Sequence, residues 1–344
     1  LHRVCQCLQD ARLPYVTLGG VKPNPRLSKV KEGIALAKEE EVDFILALGG
    51  GSVLDSAKAI AYGCVNEGDL WDYYTRKKTI TGSLPVGTIA TIAAAGSEMS
   101  NSSVITNEEG WLKRGLSTPY GYCRFAILNP SLTATLPLYQ TMSGCTDILM
   151  HTMERYFTNE PAMELTDEIA EALMRTVMKH ARILLHKPQD LASRSEILWA
   201  SELSHNGVSG DRTLGDWACH QLEHELSGMF DVAHGAGLAA IWASWARSVM
   251  DVNTKRFAQY AKNVMQVAEG KDDTETALAG IAATESFFKE IGMPTCIREL
   301  GISLSDAQID ELSEKCTFFH TRTIGGFKKL DYEDIRQIYR KARS

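Results

Sequence analysis

Asp147 and His151 stand four residues apart, and His220 and His224 repeat that spacing in His-Gln-Leu-Glu-His, with His234 following just before Gly-Ala-Gly. Residues at i and i+4 share one face of a helix, so two helices and a turn would bring a carboxylate and several imidazoles to one point. That is the pattern of a divalent-metal site. Taken singly, each pair is served as well by a hydrogen-bonded structural pair or by exposed polar residues. Together, and flanked by Ile148, Leu149, Met150, Leu222 and Leu226, they are polar groups among apolar ones and need partners, which a metal supplies. All the donors are nitrogen or oxygen, so iron, zinc, manganese and nickel suit alike. Two helix faces and a turn would then supply four or five ligating groups, and a divalent ion held by them can act as a Lewis acid. Cys145 and Cys219 sit beside these residues, where core packing is the better reading of both.

A second stretch is suited to holding an anion. The apolar run at 43–48 has the character of a parallel strand buried on both faces, and it leads into Gly49-Gly-Gly-Ser-Val-Leu-Asp-Ser-Ala-Lys58. Three glycines allow a tight turn and close approach of a ligand. The helix that follows would present unpaired N–H groups and its positive dipole end to a pyrophosphate. The motif is not Gly-x-Gly-x-x-Gly, so a Rossmann assignment does not follow from it alone.

These candidates need elements to position them. Helical spacing is read over 1–11 and 27–40, and strands over 14–18, 43–48, 84–91 and 125–128. Residues 104–114 read as a hairpin turning at Asn-Glu-Glu-Gly. Small residues follow the strand at 84–91, with Ala93, Gly96 and Ser97 leaving room for a flat ligand. From about residue 137 the pattern changes to helices, over 137–158, 162–186, 190–206, 212–228, 236–250, 252–268 and 273–291, with shorter ones to 344. The expectation is therefore an α/β domain at 1–136 with a parallel sheet, then an all-α domain at 137–344 that carries the metal ligands.

Bulk properties narrow the function classes. With 344 residues, 44% hydrophobic and 23% charged, the chain reads as an ordinary globular protein of two domains. A formal charge of −7 argues against a nucleic-acid or anionic-membrane surface. No apolar run reaches the roughly 20 residues that span a bilayer, and the first residues lack a signal-peptide design, so a cytoplasmic location is expected. The eight cysteines include no Cys-x-x-Cys pair and suit reduced thiols. The sequence opens on what reads as the middle of a helix without an initiator Met, so an upstream portion is expected.

Assembled in order, these motifs resemble the iron-containing (group III) alcohol dehydrogenases, most closely their butanol-dehydrogenase and aldehyde-reductase branch. The resemblance covers essentially the whole chain. It rests on the Gly49 to Lys58 stretch, Gly96-Ser-Glu98, Asn129-Pro-Ser-Leu-Thr-Ala-Thr-Leu-Pro137, Asp147-x-x-x-His151, and His220-x-x-x-His224 with His234. It implies a dehydroquinate synthase-like fold, with a Rossmann-like dinucleotide-binding domain and an all-helical metal domain. By the resemblance, Asp147, His151, His220 and His234 ligate Fe²⁺ or Zn²⁺, and His224 stands by as a proton relay. NAD(H) or NADP(H) would lie along Gly50, Gly51, Ser52 and Asp55, with Thr91, Ser97, Ser100, Lys113 and Leu132 lining the rest of its path. Two departures stand out: Thr91-Ile-Ala-Ala-Ala replaces a Thr-rich strand end, and Asn129 stands where Asp is common. Compared with the family, the first strand and its glycine loop, which help choose the dinucleotide, are not in this sequence; the branch leans toward NADP(H). A homodimer is also implied.

The activity so implied is hydride transfer between a nicotinamide and a small primary alcohol or aldehyde. Its strongest rival starts from the same residues, because His220-Gln-Leu-Glu223-His224 matches the His-x-x-Glu-His zinc metallopeptidase signature. That reading leaves Asp147, His151 and the glycine-rich turn without a task. A nucleotide-binding protein with a structural metal is a third class, although structural sites are usually cysteine-rich. A glycerol- or quinate-synthase-like relative would share the architecture and differ in substrate.

Overall fold

The apolar positions Val4, Cys5 and Leu8 fall within a first helix, α1 (His2–Asp10), in the computed structural model of the chain, which describes residues 1–344 apart from Ala162 and Arg212. Those two positions, where two of the expected helices begin, lie outside the described residues. The expected strand at 14–18 does not form: among the described residues no strand pairs with it, and Leu18 packs into the core beside α2 (Leu27–Glu39). Tyr15, Val16 and Thr17 stay exposed, because a strand needs a neighbour to pair with as well as β-branched and aromatic residues.

The run after Asp43 gives β1 (Ile45–Gly49), and the glycine turn leads at once into α3 (Gly51–Val65). A one-turn helix, α4 (Trp71–Tyr74), precedes β2 (Val86–Ala90). The hairpin follows as β3 (Ser102–Asn107) and β4 (Leu112–Ser117), two to three residues longer on each arm than the spacing suggested, and β5 (Phe125–Leu128) completes the strands. β1, β2 and β5 form a parallel sheet in that order, with Gly49 opposite Ala90 and Ala90 opposite Leu128. Their carboxyl ends therefore line up, which is the edge where open α/β sheets bind ligands. Burial on both faces holds for β2, which is buried throughout, but not for β1. Phe44, Phe125 and Ile127 remain 38%, 45% and 48% exposed, since α3 packs on β1 and β2 and leaves β5 largely uncovered.

The helical part comprises α5 (Leu138–Tyr156), α6 (Glu164–His186), α7 (Leu191–His205), α8 (Ala218–Phe230), α9 (His234–Val249), α10 (Thr254–Asn263), α11 (Asp273–Glu290), α12 (Asp306–Cys316) and α13 (Tyr332–Ala342). α5 and α9 are buried on nearly all sides, so they form the centre on which the other helices pack. α8 starts later than the spacing predicted. Trp217 has φ +63°, and the Asp216 carboxylate accepts the N–H groups of Ala218, Gly326 and Phe327 at 3.0, 3.0 and 2.9 Å, which fixes the start at Ala218. α10 stops short of 268, and Gln266 beyond it is left-handed at φ +55°.

Buried polar contacts join the α/β and helical parts. Arg114 on β4 donates to Glu225 on α8 at 2.7 Å, and Lys113 donates to Ser227 at 2.8 Å and to Asn24 at 2.9 Å. Asn24 and Arg26 in turn reach Asp231 at the end of α8. Lys58 on α3, 1% exposed, donates to the carbonyls of Ser97, Ser100 and Ser102 at 2.6, 2.8 and 3.0 Å, and so shapes the loop after β2. A cavity of about 610 Å³ lies between the two parts.

Candidate active site

Asp147 sits in the buried middle of α5, and His220 opens the second half of the first turn of α8. His234 is the first residue of α9, and its approach depends on Gly235: a Cβ there would lie 2.0 Å from the Ser143 carbonyl oxygen of α5. The Gly-Ala-Gly after His234 is thus what lets α9 begin against α5. The result is that Asp147, His220 and His234 each bring a ligating atom within 4.8 Å of the other two. Asp147 Oδ1 is 3.7 Å from both His220 Nε2 and His234 Nε2, and 3.3 Å from His151 Nδ1.

Each imidazole is held from its far side. Glu154 takes the backbone N–H of His220 at 2.9 Å and its Nδ1–H at 3.0 Å, which leaves the Nε2 lone pair on the Asp147 side. Glu223 takes Nδ1–H of His234 in the same way. His151 donates Nδ1–H to the Asp147 carbonyl at 3.0 Å, so its proton-free nitrogen is Nε2. Its ring lies 4.4 Å from that of His220 and 4.3 Å from that of His205, and it adjoins the trio without joining it within 4.8 Å. Carboxylate or carbonyl partners on the remote nitrogen are the usual means of orienting metal-binding imidazoles.

Two atoms test whether an ion fits. Asp147 Oδ1 and His220 Nε2 are both buried, and neither has a hydrogen-bond partner among the described residues. Such atoms are rare in folded proteins and call for an absent partner. A cation between them would satisfy both, and one carboxylate with imidazole nitrogens is a fitting donor set for a divalent transition metal. The electrostatics agree. Burial works against charge on His220, yet the neighbouring carboxylates of Asp147, 3.7 Å away, and Glu154 outweigh burial and raise its pKa to about 9. Burial would likewise raise the Asp147 pKa, but His151, His234 and His220 bring it well below the usual carboxylate range. The pocket therefore favours positive charge at its centre.

The dinucleotide candidates divide. Gly50, Gly51, Ser52, Asp55, Ser97, Ser100 and Lys113 line the cavity; Thr91 and Leu132 do not. Gly50 caps α3 without a side-chain partner, and a Cβ on it would lie 2.7 Å from Ile92. The first N–H groups of α3 are left for an anion. Asp55 and Lys113 are already engaged. Asp55 accepts from Ser97 Oγ at 2.8 Å and from the Val104 N–H at 3.0 Å, and Lys113 spans Asn24, Ser227 and Glu223. His224 lines the cavity with its ring 5.7 Å from that of His234. Burial and then the nearby Lys113 lower its pKa well below 6.5, so it is a neutral imidazole.

Three residues in the site carried no recognised signal. Glu154 lies two turns from Asp147 on the same face of α5, a spacing that could have flagged it. Lys58 falls inside the glycine-rich motif, where nothing distinguishes a buried lysine from an exposed one. His205 donates to the Ala95 carbonyl at 2.6 Å and stacks beside His151, a contact that only the fold creates. Glu223, the proposed base of a peptidase, is fully buried and bound to His234 and Lys113, so it is not placed to activate a water between His220 and His224.

Known proteins resemble this chain in sequence and fold. The profile described as iron-containing alcohol dehydrogenase matches residues 1–130, and that described as the C-terminal part of the Fe-containing alcohol dehydrogenase family matches 141–343. The NADH-dependent butanol dehydrogenase A of Clostridium acetobutylicum is 36% identical over 341 residues, covering 99% of this chain and 87% of that protein. The NADPH-dependent aldehyde reductase YqhD of Escherichia coli is 33% identical over 334 residues, 96% of this chain and 86% of its own. A crystal structure of NADH-dependent butanol dehydrogenase A from Thermotoga maritima superposes with a TM-score of 0.94 at 37% identity, covering all of this chain and 87% of its own. With a sheet edge that offers helix N–H groups, a histidine–carboxylate pocket opposite it, and both halves matched in order, the chain belongs to the iron-containing alcohol dehydrogenase family.

Proposed function

We propose that this protein is a metal-dependent, NAD(P)-linked alcohol dehydrogenase that also runs as an aldehyde reductase, with short primary alcohols and aldehydes such as butanol and butanal as substrates. The observation that carries this reading is the orphaned pair Asp147 Oδ1 and His220 Nε2, in the wall of the same cavity that receives the start of α3. Asp147, His151, His220 and His234 would hold the ion, which supplies Lewis acidity toward the alcohol or aldehyde oxygen when bound. Glu154 and Glu223 orient His220 and His234. Gly50, Gly51 and Ser52 bind the pyrophosphate, while Asp55, through Ser97 and Val104, fixes the loop that flanks it. His224, neutral and beside the cavity, can accept a proton and hand it to solvent. Hydride passes between the nicotinamide and the substrate carbon, and the chain's contribution is to hold the two in line.

The family description supports iron as the ion, and the names of the butanol dehydrogenases support NADH over the NADP(H) suggested by the branch. A division near residue 136 is supported by the end of the last strand at Leu128 and the start of α5 at Leu138. A homodimer rests on the family resemblance, and a cytoplasmic location on the eight free cysteines. No helix among the described residues is long and apolar enough to cross a membrane.

Glu223→Gln separates this reading from the peptidase. Removing a carboxylate that orients a metal-binding imidazole typically lowers metal affinity about 10- to 100-fold, so the variant needs more metal but still transfers hydride at saturation. Metal titration of the variant, read by oxidation of reduced nicotinamide, measures this. Loss of all hydride transfer at saturating metal would sink the orienting role assigned to Glu223.

A further inference from the structure

Arg76, Arg114 and Arg322 line the cavity and lie close enough for Arg76 and Arg114 to act on the charge of Arg322. Arg114 is already neutralised. It donates to Glu225 at 2.7 Å and to the carbonyls of Lys113 and Lys315 at 2.8 and 3.2 Å. Arg322 is different. Its Nε is tethered to the Cys316 carbonyl at 3.0 Å, and its guanidinium lies 3.5 Å from the centre of the Phe318 ring. Its two terminal nitrogens have no partner among the described residues and are not sealed from the cavity. Arg76 is exposed and has no carboxylate partner among the described residues. Two guanidinium groups thus share one end of the cavity, and the carboxylate whose charge reaches Arg322, that of Glu225, is already bound to Arg114.

The position of this patch matters as much as its charge. Cys316, whose carbonyl holds Arg322, donates Sγ–H to the carbonyl of Gln221 at 3.6 Å, beside His220 on α8. Gln221, His224 and Glu225 line the wall from the histidines to the arginines. Arg322 is therefore tied through Cys316 to α8, which also carries His220, while Arg76 follows α4, so the two guanidinium groups come to the cavity from the helical and the α/β parts respectively. A guanidinium fixed at Nε and stacked on a ring keeps its terminal N–H groups in one plane, which matches the two oxygens of a carboxylate.

Resting on the dehydrogenase reading above, we infer that the substrate carries an anionic group, a carboxylate at the far end of a short chain, held by Arg322 with Arg76 while the carbonyl lies at the Asp147–His220–His234 end. The chemistry is unchanged: hydride from reduced nicotinamide reaches the carbonyl carbon, a proton reaches its oxygen, and oxidised nicotinamide and a hydroxy acid result.

The test compares 4-oxobutanoate with butanal, which have the same number of carbons, on the metal-loaded enzyme with saturating NADH. The ratio of their kcat/KM values is expected to favour the acid, and to fall roughly 10- to 100-fold in Arg322→Met, the usual worth of a charge-assisted pair, with partial recovery in Arg322→Lys. An unchanged ratio in Arg322→Met overturns the inference. So does a variant whose defect is weaker binding of NADH or NADPH with the ratio kept, since the arginines would then serve the dinucleotide. If neither aldehyde is reduced, the dehydrogenase reading fails, and calorimetric binding of 4-hydroxybutanoate decides the anion site separately: affinity lost about tenfold in Arg322→Met supports it, and equal affinity refutes it.

Discussion

Asp147→Asn is expected to cut kcat/KM for aldehyde reduction by more than about 100-fold while the protein stays folded. The floor comes from the loss of a mere orienting partner, which costs 10- to 100-fold, and Asp147 is the proposed anionic ligand itself. Asparagine keeps the volume of the side chain but removes the charge that the surrounding imidazoles face, and its amide turns a donor toward His151, His220 or His234. Two effects follow together. The pocket no longer favours a cation, and the ligating oxygen becomes neutral. Elemental analysis after gel filtration should show the variant metal-poor, and its melting temperature should stay near that of metal-free parent protein. A variant that binds a full equivalent of metal and turns over normally would remove Asp147 from the site.

Lys58→Met is expected to be the most damaging single change to stability, at roughly 3 to 5 kcal/mol, the usual cost of removing one member of a buried charged group's network. Burial already lowers the lysine's pKa, and Asp55 is the first of the carboxylates that oppose this. Without the ammonium, the carbonyls of Ser97, Ser100 and Ser102 lose a common donor, and Asp55, Glu98 and Glu202 lose the nearest positive charge. The same loop carries Ser97 and Ser100 into the cavity, so dinucleotide affinity should fall with stability. Urea unfolding measures the first effect and NADH titration the second. A midpoint within error of the parent would show that water replaces the ammonium without cost, and that the loop is held by something else.

How far the sequence carried is best seen residue by residue. The i, i+4 pairs placed Asp147 and His151 on one helix and His220 and His224 on another, because helical periodicity is local and survives in the fold. What spacing could not reveal was which histidines converge. His234 reaches the pocket because Gly235 lets α9 meet α5, a fact of packing, and His224, although it shares the spacing of His220, has its ligating nitrogen beside Glu223 and His234 and not within the Asp147 trio. Glu223 is the sharpest case: it fits a peptidase signature as a string, and the fold turns its carboxylate onto His234 instead. The strand at 14–18 failed for a related reason, since pairing depends on a neighbour that composition does not specify. Thr91 and Leu132, assigned by resemblance, are not among the residues that line the cavity, although Ile92 beside Thr91 is, and Asp55 and Lys113 reach it with their polar atoms already engaged by the protein.

The most direct test is to strip the protein with chelator and follow reduced nicotinamide with butanal before and after adding Fe²⁺ or Zn²⁺. No oxidation in the stripped protein and its return with metal, with Fe²⁺ the more effective ion and NADH the preferred donor, is the expected result. Oxidation at an undiminished rate in protein shown by elemental analysis to be metal-free, or none in protein shown to be loaded, would contradict metal-dependent hydride transfer at the Asp147–His220–His234 pocket.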